Sequence, residues 1–161
     1  MARFDELNGA LNLVFDVWHQ EPTPNMAFAR ICDIATPHIA GYSKQGREKG
    51  TWQIYEAMCK YFDLNVRSSF SESISRGSIE SLSLSKQLSP LEFLSRAMLA
   101  IYDPSRDSNR FLRIMTSGQL KPFDWLRKHY VERDEFSTCV ISAPSYEQQL
   151  MALGFKKAFE K

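Results

Sequence analysis

Three residues near the start of the chain have the types and spacing of an acid–base site. Asp16 lies near the end of the apolar run LNLVFDV, residues 11–17. Glu21 follows five residues later, between Gln20 and Pro22, and His38 stands seventeen residues beyond Glu21 in ATPHIAGYS. A carboxylate facing an imidazole fixes which ring nitrogen carries the proton. That makes the histidine a useful proton donor or acceptor near neutral pH. Pro37 restricts the backbone ahead of His38, and Gly41 lets the chain come close to a ligand. Each residue also has a plainer reading. A histidine ahead of a helix is most often a loop or capping residue, Glu21 is equally an exposed loop carboxylate, and Asp16 equally caps a turn.

The elements that must position these residues are short. An unbroken apolar run such as LNLVFDV reads as a strand covered on both faces, as in a parallel sheet. The carboxyl edge of such strands is where ligands bind, and Asp16 stands there. A short helix is expected over Met26–Ile31, then a second brief apolar piece, CDIAT. PHIAGYS turns the chain into a helix over about residues 44–62. There Trp52, Tyr55, Cys59 and Phe62 fall at helical spacing, with Ile54, Met58 and Tyr61 beside them. The face is wider than a surface helix needs. It is expected to be buried between its own domain and another domain or subunit.

Residues 63–78 are polar and serine-rich and read as a linker. Ile79–Leu84 alternates as a half-buried strand does. In SPLEFLSRAMLAIYDP, Ser89 is an N-cap, Pro90 the first helical residue and Glu92 the reciprocal partner in a capping box. Leu91, Leu94, Met98 and Ile101 make the expected buried stripe, and Asp103-Pro104 ends the helix. A short helix over about 107–115 stops at Gly118, and another starts at Pro122 with Phe123, Leu126 and Tyr130 on one face. Phe136–Ser142 reads as a strand. Ser145 and Gln148 begin a last helix that stops at Gly154, and Phe155–Phe159 is a final strand. No βαβ rhythm shows, so this second part reads as α+β.

Composition narrows the function classes. The 161 residues carry a net charge of +1 and a pI near 7.7. That balance gives no electrostatic pull toward nucleic acid or an anionic membrane. The basic stretch RKHYVER alternates in sign, as a solvated face does. Cys32, Cys59 and Cys139 are far apart and form no CxxC, which argues against zinc and for reduced thiols. The opening MARFDELNGALN is too charged for a signal peptide, and no apolar run approaches the ~20 residues of a membrane span. A cytoplasmic protein is expected, with neither nucleic acid nor membrane as partner.

DVWHQEP followed by TPHIAGYS closely resembles the end of the catalytic region in the NAD-dependent D-2-hydroxyacid dehydrogenases. There a DV-x-x-x-EP segment precedes TPHIAG at about this distance. GYSKQGREKGTWQIYEAMCKYF, YDPSRDSNRFLR and FDWLRKHYVERDEFST narrow the resemblance to the branch that oxidises 4-phospho-D-erythronate in vitamin B6 formation. It covers about Leu11 to Phe155.

The resemblance implies NAD as cofactor. It implies His38 as the general acid/base, Glu21 as its carboxylate partner, Asp16 and Gly41 as NAD contacts and Tyr42 as a substrate contact. It also implies an α/β remnant of a Rossmann-type NAD domain followed by an α+β dimerisation domain. The expected partition is residues 1–62 for the end of the NAD domain with its connecting helix, 63–78 for a linker and 79–161 for a domain that forms a homodimer. The same resemblance implies a GxGxxG turn and an arginine that clamps the substrate carboxylate. The seven glycines form no such turn, and the arginine's place falls ahead of Met1, with Arg3 too near the strand to serve. The chain is therefore expected to be the C-terminal portion of such an enzyme, inactive alone. The second reading is a non-catalytic dimerisation or interaction module.

Overall fold

Strand β1, Val14–Phe15, lies parallel to β2, Ile34–Ala35, with Val14 opposite Ile34 and Phe15 opposite Ala35. The register is held by Ile34 and Thr36 N–H groups donating to the carbonyls of Leu13 and Phe15, and by Asp33 accepting from the Leu13 N–H at 2.6 Å. A computed structural model describes residues 11–85, 87–142 and 146–157. Between the strands runs α1, Met26–Ala29, started by Asn25, whose side chain accepts from the N–H groups of Ala27 and Phe28.

The chain divides by its contacts into two bodies. The first combines residues 11–40 with Asp103–Val131, and the second combines Gly41–Tyr102 with residues 132–157. This interleaving differs from the sequential partition expected at residues 63–78. Its cause within the first body is apolar burial. Helix α5, Pro104–Met115, and α6, Pro122–Lys128, bring Phe111, Phe123 and Leu126 onto Trp18, Ala29, Cys32 and Ala35. Phe111 is fully buried and stacks on Trp18 with ring centroids 5.4 Å apart. Asp103 does more than end the preceding helix. It caps α5 by accepting from the Ser105 N–H, so that helix starts at Pro104 rather than near residue 107.

The strand in LNLVFDV is shorter than its apolar run, and it is not covered on both faces. Val14 and Val17 are 65% and 60% exposed, whereas Phe15 packs edge-on against Phe28.

The second body holds α2, Lys44–Tyr61, then α3, Phe70–Ser73, and α4, Pro90–Ile101. Strands β3, Ser81–Ser83, β4, Val140–Ser142, and β5, Lys156–Lys157, form a parallel sheet in the order β3-β4-β5. Helix α7, Glu147–Ala152, connects β4 to β5. That is a βαβ unit, so the expected lack of βαβ rhythm is corrected; the elements are too short to register as a repeat. Within Phe136–Ser142 only the last three residues are strand, and Phe136–Thr138 form a 3-10 turn. The expected start at Ser145 and end at Phe159 lie outside the described residues.

Helix α4 carries the capping box read from its sequence: Ser89 accepts from the Glu92 N–H, and Glu92 accepts from the Ser89 N–H. Its buried centre is Phe93 and Ala97, one stripe over from the expected one. Leu91 is 76% exposed, while Leu94, Met98 and Ile101 flank the core. On the face of α2 and the residue after it, Cys59 is buried, and Ile54, Met58, Tyr61 and Phe62 are exposed in the single chain.

The serine-rich segment is fastened to this second body by carboxylates. Glu48 accepts from the Ser75 N–H at 2.8 Å and from the Ser75 hydroxyl. Asp134 accepts from the Ser78 N–H and hydroxyl at 2.7 and 2.6 Å and from the side-chain amide of buried Gln45 at 2.9 Å. For Asp134 the largest influence is partial burial, which raises its pKa. The bonds from Gln45 and Ser78 and the charge of Lys44 outweigh it and hold the group below its ordinary value. Glu48 is lowered chiefly by its two bonds from Ser75.

Both carboxyls therefore titrate lower in the folded than in the unfolded chain. Their stabilisation is present above the ordinary carboxyl values, 3.8 and 4.5, and is lost as pH falls through the lower folded ones. Urea unfolding should show a midpoint that falls as the buffer is acidified from neutrality to below those values. Asp134→Asn should lower the neutral midpoint and flatten the acid dependence. An unchanged slope in that variant would remove Asp134 from the account.

Candidate acid–base site

Beyond the carboxyl ends of β1 and β2 the chain converges on one small loop. Asp16 directly follows β1 and Thr36 directly follows β2. The Thr36 hydroxyl donates to Asp16 Oδ1 at 2.7 Å, and the Ile39 N–H donates to the same oxygen at 2.8 Å. The Ala40 N–H donates to Oδ2 at 3.0 Å. His38 lies between these anchors with φ of 57°, in the left-handed region that non-glycine residues seldom adopt.

The histidine meets Glu21: Nδ1 lies 2.9 Å from Oε2. Glu21 is itself fixed. Its Oε1 accepts from the Trp18 N–H at 2.9 Å, and the Trp18 indole N–H donates to the Thr36 carbonyl at 2.8 Å in a buried position. Partial burial is the largest influence on Glu21 and pushes its carboxyl up. The bonds from His38 and the Trp18 N–H, with the charges of His38 and Arg127, together hold it below its ordinary value. Glu21 is thus a carboxylate at neutral pH, and Nδ1 of His38 is the atom that donates to it. Nε2 is the ring nitrogen not engaged by Glu21. The imidazole side chain is 45% exposed and Glu21 only 23%, so the ring faces outward and the carboxylate lies behind it.

The structure thus brings Asp16, Glu21 and His38 together. Gly41 and Tyr42 open the second body, where Gly41 is exposed and Tyr42 half-buried. A Cβ at Gly41 would meet no atom within 4 Å, and its φ is not left-handed, so nothing among the described residues demands glycine there.

Trp18 and Thr36 belong to the site although their types suggested no chemistry; they lie inside the two quoted motifs. Ser108 of α5 is a further support: its buried hydroxyl accepts from the Ala35 N–H at 3.0 Å and so braces the end of β2. It lies 73 residues away, with no local signal to mark it. Among the described residues no cluster of His, Cys, Asp and Glu could hold a metal ion, and no helix is long and apolar enough to cross a membrane.

The residues present fit the reactive end of a dinucleotide. They form a carboxyl edge of parallel strands, and the bonds from Thr36, Ile39 and Ala40 take up three of the roughly four acceptor positions of the Asp16 carboxylate among the described residues. A GxGxxG turn for the pyrophosphate is not among the 161 residues.

Comparison with known proteins places the chain first by class. Residues 74–154 match the family described as a domain of unknown function, DUF3410, and the chain belongs to that family. Curated relatives then carry a particular name. The chain is 50% identical over 158 residues to an erythronate-4-phosphate dehydrogenase of Marinomonas sp. (strain MWYL1), an alignment covering 95% of this chain and 41% of that protein. It is 41% identical over 155 residues to the erythronate-4-phosphate dehydrogenase of Pseudomonas fluorescens, covering 92% and 41%. It is 34% identical over 151 residues to that of Pseudomonas putida (strain GB-1), covering 89% and 40%. The chain therefore spans about two fifths of the length of the curated relatives it matches.

Proposed function

We propose that this chain contributes the acid–base end of an NAD-dependent dehydrogenase that oxidises 4-phospho-D-erythronate to the 2-oxo acid, a step of pyridoxal phosphate formation. The observation that carries this reading is the 2.9 Å pair of His38 Nδ1 and Glu21 Oε2 beyond two parallel strand ends. His38 Nε2 takes the proton of the substrate's 2-hydroxyl as its C–H bond breaks. Glu21 keeps the ring in the one tautomer that can do so and stabilises the imidazolium that results. Tyr42 contacts the substrate. When NAD is bound, Asp16 and Gly41 would each contact it, as the resemblance implies. NAD, when bound, supplies the hydride acceptor. The three cysteines are free and buried, which suits a reducing cytoplasm.

The 161 residues hold no phosphate-cradling glycine turn and no arginine in the expected place, so the chain alone should form no NADH from 4-phosphoerythronate. Residues 11–157 grafted into the Marinomonas relative, in place of its own matching stretch, should give a chimera that turns over. A folded chimera without activity would sink the reading.

The second reading, a non-catalytic module that pairs with a second copy, is favoured by one observation. Ile54, Met58 and Tyr61 expose apolar side chains at helical spacing on α2, and Phe62, Leu64 and Val66 follow it, also exposed. In that reading the second body is the dimerisation domain. Light scattering at high micromolar concentration should give a dimer, and Ile54→Lys with Tyr61→Lys should give a monomer. A monomeric parent chain would argue against pairing through this face.

A further inference from the structure

We infer that Asp16 is the positioning residue of the acid–base loop. Its carboxylate fills the nest of the Ile39 and Ala40 N–H groups and grips the Thr36 hydroxyl, and so holds His38 where Glu21 can meet it. The inference rests on the reading of His38 as the proton carrier, and it assigns Asp16 a task apart from any contact with cofactor.

The geometry gives Asp16 that task. Three donors converge on its two oxygens at 2.7, 2.8 and 3.0 Å. They come from both sides of His38: Thr36 stands two residues before it, and Ile39 and Ala40 are the two residues after it. Successive N–H groups following a left-handed residue form a concave anion site. Here the chain supplies its own anion. His38, with φ of 57°, holds a conformation that a histidine leaves readily unless its surroundings over-determine it. The Asp16 carboxylate is the charged group that spans the strained residue. Further bonds hold the loop ahead of His38: the Thr36 carbonyl accepts from the Trp18 indole, and the Thr36 N–H donates to the Phe15 carbonyl. Without Asp16 the Ile39 and Ala40 N–H groups lose this shared acceptor, and the hold on the His38 ring opposite Oε2 of Glu21 weakens.

A residue that merely caps a turn would leave the imidazole alone, so the test reads the imidazole. The full 161-residue chain, carrying 15N-labelled histidine, is studied by NMR in mildly alkaline buffer, with amide exchange at Ile39 and Ala40 followed in parallel. In the parent, His38 should show the Nδ1-protonated tautomer. In Asp16→Ala the exchange at both amides should rise by at least ~10-fold, the scale of losing a local closing interaction. The His38 ring should also lose its single-tautomer signature, while the Trp125 indole signal stays put. Unchanged ring shifts in a folded Asp16→Ala chain would overturn the inference.

Should that variant fail to fold, Asp16→Asn decides. Its amide oxygen can still accept from Thr36 and Ile39, but its NH2 faces the Ala40 N–H. Protection should then persist at Ile39 and fall at Ala40, with partial retention of the ring signature. Equal protection at both amides, or equal loss, would overturn the inference. A well-ordered His38 in a chimera that does not turn over would instead count against the proposed function and leave the role of Asp16 standing.

Discussion

Replacing His38 with alanine in the restored dehydrogenase is expected to cut kcat by about two orders of magnitude or more, the usual scale for losing a positioned acid–base group. The reason lies in the pair itself. Nδ1 is committed to Glu21 at 2.9 Å, so Nε2 is the one ring position left to move a proton. Substrate binding does not need that proton transfer, so KM should change far less than kcat. Alanine removes the ring and leaves at a left-handed φ a residue that tolerates this region less well than histidine does. Asparagine tolerates that backbone better. His38→Asn should therefore be as slow as His38→Ala but more stable, which separates chemistry from conformation. Steady-state NADH formation and urea unfolding on the two variants provide the check. Near-normal turnover in either would remove His38 from the reaction.

The second large effect is structural. Phe111→Ala should destabilise the first body by about 3–5 kcal/mol, the range for deleting a fully buried aromatic ring. Such a loss is a large share of a domain's net stability of roughly 5–15 kcal/mol. Phe111 stacks on Trp18 and meets Phe123 edge-on at 6.2 Å. Trp18 in turn binds Glu21 through its N–H and Thr36 through its indole. The cavity should thus loosen the acid–base pair as well as the core, and the restored enzyme should lose activity at temperatures where the parent is intact. A shift in the urea midpoint corresponding to less than about 1 kcal/mol would show that the site collapses around the gap.

What could be read from the sequence was local. The capping box of Ser89 and Glu92, the stops at Gly118 and Gly154 and the pair of Glu21 with His38 each depend on short spacing or on a quoted motif. The parts that could not be read depend on distant partners. Gln45 reaches Asp134 across 89 residues and Glu135 across 90, and Ser108 reaches Ala35 across 73. No periodicity encodes such contacts. The stripe on α4 was misphased because LEFLSRAMLAI is apolar on two adjacent faces, and only packing chooses Phe93 and Ala97 over Leu91. Likewise the serine-rich stretch has the composition of a linker, yet Glu48 and Asp134 fasten it.

The interleaving of the two bodies bears on how the gene can be divided. Any single cut, whether by a stop codon at residue 62 or a new start at 79, leaves at least one body without a strand of chain it needs. Cutting at 62 would deprive Trp18 of Phe111 and the end of β2 of Ser108. Independent expression of the first body requires joining residues 11–40 directly to 103–131, as if 41–102 were an insertion. By the same logic, a protease nick between Gly41 and Tyr102 would leave the first body as two polypeptides held together by their shared core, and drift in α5 would have to be matched by drift around Trp18.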